Sequence, residues 1–433
     1  MNSKMSKLWV VVAIFTLVIA SCAPKTPAPT QAPTKAPTNA PTQAPTQVPT
    51  AEPKIGETYK IGFAPAITGG GASLGDPEHQ TGKMLAEQLN ASGGVTGPDG
   101  VMHPVEIVIY DTESNPDASV SAVRKMIEED KVQIVVAGTT SGVSMAIVPI
   151  ATEAEVPYIS MASAGAIVKD PATSEVRKWV FKTAQDNYAS AKWQAEYITA
   201  MGWTSVCHVY QNSGYGNDTF KQAGVAFGEA GITIAYSAAY ESAATEFPEL
   251  AEIGTSGCQA VVVGAIPPAS STVSVAIREQ YPDMPIIHGH GTCNQDHIDL
   301  MSAEVAEGMV SPCGKVMVGA TLPDSDPQKA VVMQYADDYA AFTGKPVNTF
   351  GGHGWDALML AVNALTSLPD GLDLQAQRAA IRDHLEGSVK GWPGISGVYN
   401  LSPEDHFSLD YKSLVFVKVE DGKWVYYPPE SWK

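Results

Sequence analysis

The sequence predicts an α/β fold of two doubly wound parallel-sheet lobes, and three observations carry that prediction. The chain has 433 residues. Setting aside 1–53 leaves roughly 380, more than one hydrophobic core accommodates and enough for two ordinary domains. Strand and helix patterns alternate in two series of similar length, which means βαβ units and parallel sheets. Strand runs such as Ile134-Val135-Val136-Ala137 are apolar at every position, as suits strands covered on both faces.

The elements follow in chain order. Lys4 and Lys7 lead into an apolar-to-small run, Leu8 to Ala20, that reads as a secretion signal and is too short to span a bilayer comfortably. The tetrapeptide Ile19-Ala20-Ser21-Cys22 resembles the lipobox of bacterial lipoproteins. The resemblance implies residues 1–22 as a lipoprotein signal peptide and Cys22 as the lipidated residue anchoring the protein to the membrane, outside the cytoplasm. Residues 23–56 form a linker whose Ala-Pro-Thr repeat, up to Pro53, has almost no apolar bulk. At about 3.1 Å per residue in polyproline conformation it could reach on the order of 90 Å. From Tyr59 the pattern changes. Strands are expected at 59–66, 105–110, 132–137 and 156–160, with helices at 78–89, 117–129 and 143–153 between them. A second series places strands at 205–210, 233–240, 260–266, 285–288 and 308–311. Its helices are at 188–201, 217–230, 247–255 and 270–280. Helices at 328–342, 354–365 and 375–386 follow, and 414–427 is a final extended stretch.

Composition narrows the function. Hydrophobic content of 44% with 17% charged residues suits a folded body, and the net charge of −19 argues against nucleic acid as a partner. The sequence has no Gly-x-Ser-x-Gly elbow, no Walker phosphate loop and no His-Glu-x-x-His. The five cysteines less Cys22 leave an even set, Cys207, Cys258, Cys293 and Cys313, that permits disulfides in an exported protein.

Several short stretches identify a family in combination. Ile61-Gly62-Phe63-Ala64-Pro65-Ala66-Ile67-Thr68-Gly69, Leu89-Asn90-Ala91-Ser92-Gly93-Gly94-Val95, Tyr110-Asp111-Thr112-Glu113-Ser114-Asn115-Pro116, Val156-Pro157-Tyr158-Ile159-Ser160, Ser213-Gly214-Tyr215-Gly216, Ala306-Glu307-Gly308-Met309-Val310 and Trp355-Asp356-Ala357 occur in order. Together they resemble the leucine/isoleucine/valine-binding proteins of ABC importers, over about Tyr59 to Lys418. The resemblance implies the type I periplasmic-binding-protein fold, a three-segment hinge, no catalysis and no cofactor. Its crossovers fall near Thr183, Cys313 and Trp392, giving lobe 1 as 57–183 with 314–391 and lobe 2 as 184–313 with 392–433. It also implies a monomer that hands a small-molecule solute to ABC permease and ATPase subunits.

The site can be read residue by residue. Strand 132–137 runs through Gly138-Thr139-Thr140-Ser141-Gly142 into a helix, whose free N–H groups suit a carboxylate. Gly142 lets the backbone approach closely, and the resemblance gives Ser141 the ligand carboxylate, although residue type alone would make Ser141 a helix cap. Ala162 and Ser163 lie in a loop that holds carboxylate and amino groups in the family, with Ala164 where a threonine is usual. Tyr215 matches a cleft tyrosine and Leu74 an aromatic position. His290 stands where amino-acid binders place a glutamate for the ligand ammonium. A histidine lacks that fixed charge, so a carboxylate, amide or other small polar solute competes with an amino acid. Two alternatives remain: a ligand-sensing surface receptor, and a zinc binder through His288, His290, Cys293 and His297. Against the second, Cys293 and Cys313 follow the ends of strands expected to be adjacent, so a disulfide between them is reasonable.

Overall fold

The structure is a computed structural model that describes residues 54–432. The signal, Cys22 and the repeat of the linker lie outside the described residues. Lys54 to Gly56, assigned to the linker by composition, bridge instead to Met102: Gly56 N donates to Met102 O and Met102 N to Lys54 O, both at 2.8 Å.

The first sheet is built from β1 (Tyr59–Ala64), α1 (Ala72–Ser92), β2 (Val105–Ile109), α2 (Pro116–Glu128), β3 (Ile134–Ala137), α3 (Ser141–Glu153), β4 (Tyr158–Ser160) and β5 (Val180–Lys182). All five strands are parallel, in the order β2-β1-β3-β4-β5. Every residue of β3 is buried, which is why its sequence shows no alternation. The chain then crosses to the second lobe through Thr183–Asp186 and forms α4 (Asn187–Ala200), β6 (Ser205–Gln211), α5 (Gly214–Glu229), β7 (Thr233–Tyr240), β8 (Val261–Gly264), α6 (Ala269–Gln280), β9 (Ile286–His288) and β10 (Val310–Gly314). It returns to the first lobe for α7 (Lys329–Thr343), α8 (Thr349–Leu365) and α9 (Leu374–Ser388), and ends in β11 (Leu414–Glu420) and β12 (Lys423–Tyr426). The second sheet runs β12-β11-β10-β9-β8-β6-β7.

Three expectations need correction. The second sheet is mixed: β11 and β12 are an antiparallel hairpin added at its edge, turned at Asp421-Gly422, both with positive φ. The helix expected from residue 78 begins at Ala72, with Pro77 inside it; Ser73 O, the carbonyl a residue-77 N–H would bond, accepts from Asn294 Nδ2 instead. Lobe 2 does not begin its last segment at Trp392. Tyr399, Leu401, Phe407 and Leu409 belong to the core of the first sheet, so the third crossover lies between Leu409 and Leu414.

The crossing segments are bonded to one another. Tyr399 Oη donates to Thr183 O at 2.9 Å, and Thr183 Oγ1 to His353 O at 3.0 Å. Asp356 fastens the last segment to α8 by accepting from Ile395 N, Ser396 N and Tyr399 Oη. Two disulfides brace the second lobe. Cys207–Cys258 links neighbouring strands β6 and β8 at one end, with Cα atoms 5.4 Å apart, and Cys293–Cys313 ties the turn after β9 to β10, with Cα atoms 5.6 Å apart.

Candidate functional site

The C-terminal ends of β1, β3 and β4 face those of β6, β8 and β9, so the two lobes meet where open parallel sheets usually take ligands. The meeting is close. Gly214 opens α5 against the start of α3 on the other lobe, and a Cβ there would lie 2.8 Å from Gly142 N. Leu74 and Phe350 of the first lobe cluster with Tyr215 and Ile266 of the second, and Asn294 Nδ2 donates across to Ser73 O at 3.3 Å. Between them lies a cavity.

On the first lobe the wall is mostly main chain. Ser141 is the first residue of α3 and not its cap: Thr140 holds the cap position and makes no side-chain cap bond. The N–H groups of Ser141, Gly142 and Val143 precede the first helical bond, Ser144 N to Thr140 O at 2.9 Å. Ser141 Oγ accepts from Ala164 N at 3.3 Å, joining the helix start to the loop after β4. Ala162 and Ser163 line the cavity beside it. Gly142 lines the outer part of the cleft, a more open groove that also takes in Gly214 and Ser213. Leu74 is on the first turn of α1, not in a loop, and its side chain forms part of the apolar wall.

On the second lobe the wall is made of side chains. Tyr215 is buried, and its Oη accepts from Gly291 N at 2.8 Å, leaving its own proton to donate. Gly291 allows that contact, since a Cβ would sit 2.7 Å from the same oxygen. His290 lies edge-on to Tyr215 with ring centroids 5.9 Å apart, and it is 2% exposed. Neither ring nitrogen has a well-formed hydrogen bond among the described residues. Burial, then the Lys182 ammonium, lowers its pKa to about 3, with a backbone group of Gln185 acting weakly the other way. His290 is therefore a neutral imidazole.

The cavity includes residues that sequence reasoning missed: Met161, Ile266, Phe350 and His353. His353, on α8, holds Ser396 Oγ with Nδ1 at 2.9 Å, and burial again lowers its pKa to about 3. Beneath the floor lies Lys182, 1% exposed, donating to Ser163 O at 3.1 Å and Ala184 O at 2.7 Å with Nζ 3.7 Å from the Phe407 ring centre. Burial brings its pKa down to about 8, against the pull of Asp186, Asp218 and Asp405. A lysine ending the apolar strand Val180-Phe181-Lys182 was the signal available.

The zinc alternative does not survive the geometry. Cys293 is bonded to Cys313 and has no thiolate to offer. His288 and His297 are fully buried beside Ser270, Ser271 and Ser274 with ring centroids 4.5 Å apart, and neither lines the cavity that His290 lines. Among the described residues no group of three His, Cys, Asp or Glu could hold a metal ion.

Comparison with known proteins agrees with this arrangement. The periplasmic binding protein family profile matches residues 58–423. The chain belongs to that family. Its fold is the type I periplasmic-binding-protein fold, and the family binds solutes outside the cytoplasm. A leucine-, isoleucine-, valine-, threonine- and alanine-binding protein of Pseudomonas aeruginosa is 24% identical over 325 residues, covering 73% of this chain and 78% of that one. Among solved structures, an extracellular ligand-binding receptor from Rhodopseudomonas palustris HaA2 superposes with a TM-score of 0.77 at 26% identity, over 86% of this chain and 99% of the other. The branched-chain amino acid transporter substrate-binding protein of Streptococcus pneumoniae, solved with isoleucine, superposes at 0.70 with 22% identity, over 85% and 97%. At that identity the likeness is one of fold. No described helix is long and apolar enough to cross a membrane.

Proposed function

We propose that this protein is the solute-binding lipoprotein of an ABC importer of the branched-chain amino acid type. It captures a small polar solute, an amino acid or a small carboxylate or amide, between its lobes by hinge closure. Delivery is to a membrane permease and its ATPase. The observation that carries the reading is the cavity between the lobes, with the start of α3 on one wall and Tyr215 and His290 on the other. The solute carboxylate would take the free N–H groups of α3 with the Ser141 and Ser163 hydroxyls. Contacts made only when both walls are in place favour the closed form, so ligand shifts the open–closed equilibrium toward closure. Cys22 would supply the lipid anchor and the proline-rich stretch the reach.

Mass spectrometry of small molecules released from freshly purified, denatured protein tests this directly. One small polar solute in near-stoichiometric amount, raising thermal stability when added back, supports it. A solute that is chemically converted, or stability unmoved by every released compound, would refute it. Retention in the membrane fraction should be lost in Cys22→Ser.

A further inference from the structure

Among the described residues the cavity has no carboxylate on its walls, although the family relative named for leucine, isoleucine and valine takes ligands that carry an ammonium group. The acids nearby lie behind the walls. Glu78 sits behind Thr139 and accepts its hydroxyl through Oε2; its Oε1 has no partner among the described residues, and full burial pushes the group toward the neutral acid. Asp356 accepts three hydrogen bonds from the last crossing segment and its tyrosine. Asp186 caps α4 through Ala189 N, and Asp218 accepts from Asn187 Nδ2.

Several acceptors an ammonium could use already hold one donor. Lys182 occupies the carbonyls of Ser163 and Ala184. Ala164 has no hydroxyl, and Ser141 Oγ already accepts its N–H. The Lys182 ammonium acts on both His290 and His353, while Asp218 acts on Tyr215 from behind the wall. What points inward is mostly donors: the start of α3, the Ser141 and Ser163 hydroxyls, the Tyr215 proton, and His290, which is buried with both ring nitrogens free of a good partner. A neutral imidazole offers one donor and one acceptor. That suits an oxo or hydroxyl oxygen. An ammonium would bring a buried charge and three donors to a site without a counter-ion. Leu74, Ile266 and Phe350 complete the wall with apolar surface.

We propose that the cleft takes a small carboxylate with an apolar body and an oxygen, not an ammonium, on the carbon beside the carboxyl: a 2-oxo or 2-hydroxy acid of amino-acid size. The inference rests on the capture reading above and narrows its ligand class. In the complex the carboxylate lies at the start of α3 and the second oxygen between Tyr215 Oη and the His290 ring.

The test is calorimetry on protein freed of bound solute by dialysis from denaturant and refolding. Leucine, isoleucine and valine are titrated beside their 2-oxo and 2-hydroxy counterparts and the corresponding uncharged amides. The oxygen acid is expected to bind on the order of 100-fold tighter than the amino acid of the same skeleton. His290→Glu should shrink or invert that ratio, while His290→Gln keeps its sign. An amino acid that binds as tightly or more tightly overturns the inference and leaves the capture reading standing. So does binding confined to amides or other uncharged solutes. Binding by no member of the panel also overturns it, and the capture reading falls with it only if purified protein releases no solute either.

Discussion

Two histidines of the lobe core and two of the cleft are equally buried, and all four are held neutral, yet they do different work. In the core, His297 Nδ1 lies 3.1 and 3.0 Å from the hydroxyls of Ser270 and Ser271, and His288 Nε2 lies 3.4 Å from Ser274 Oγ. His297 also stacks on Trp424. In the cleft, His353 is anchored by Ser396, while His290 meets open space between two separable walls. Burial and a lowered pKa therefore do not mark a binding residue. What marks it is a polar atom without a partner beside a cavity.

The contrast can be broken or sharpened by experiment, beginning with the disulfides. Replacing Cys207 and Cys258 with alanine should cost about 4 kcal/mol of stability by loop closure over the 51-residue separation, with little change in ligand affinity. Opening Cys293–Cys313, beside the cleft turn, should cost about 3 kcal/mol for its 20-residue separation and weaken binding too. Urea unfolding and calorimetry read the two effects. His297→Ala should cost about 3 kcal/mol by leaving a cavity and unpaired serines, and move affinity less than about threefold. A large affinity loss there would erase the distinction between core and cleft.

Acid separates the pairs further. His288, His290 and His353 each have a folded pKa near 3, below the ordinary value of about 6.5. Their contribution is present above that value and is lost as pH falls toward 3, at up to about 1.4 kcal/mol per pH unit for each. For His288 the loss appears in folding stability, because it is fully buried and does not line the cavity. His290 faces the cavity, so its loss appears in the free energy of closure. His288→Gln should flatten the acid limb of stability, and His290→Gln that of ligand affinity, measured from pH 7 to 4.5. Smallest of all, Ser141→Ala should weaken binding about thirtyfold, the worth of one hydrogen bond to a carboxylate near 2 kcal/mol, and lower stability by about 1 kcal/mol, because the buried Ala164 N–H loses its acceptor.

How much was legible in the sequence follows the same division. Buried strands such as Ile134–Ala137 and Val261–Gly264 announce themselves by unbroken apolar runs, so the alternation of elements and both lobes could be read. Strand Val180–Lys182 could not, since it has three residues and ends on a lysine. The edge hairpin was missed although Asp421-Gly422 is a turn signal, because its strands share one alternating pattern. In the site, Ser141, Ala162, Ser163, Tyr215 and His290 lie just after strands and line the cavity, and the family resemblance is what singles them out in the sequence. Phe350 and His353 sit on a helix some sixty residues beyond the second lobe's turn at His290, and only tertiary packing brings them to the cavity.

Small-angle X-ray scattering of the protein, dialysed free of solute and then saturated with whatever it releases, tests solute capture by closure most directly. The account predicts a smaller radius of gyration on saturation, reversed by dialysis and abolished together with binding by a bulky substitution such as Gly214→Trp. Superimposable profiles at saturating solute, with binding confirmed by calorimetry in the same sample, would contradict it.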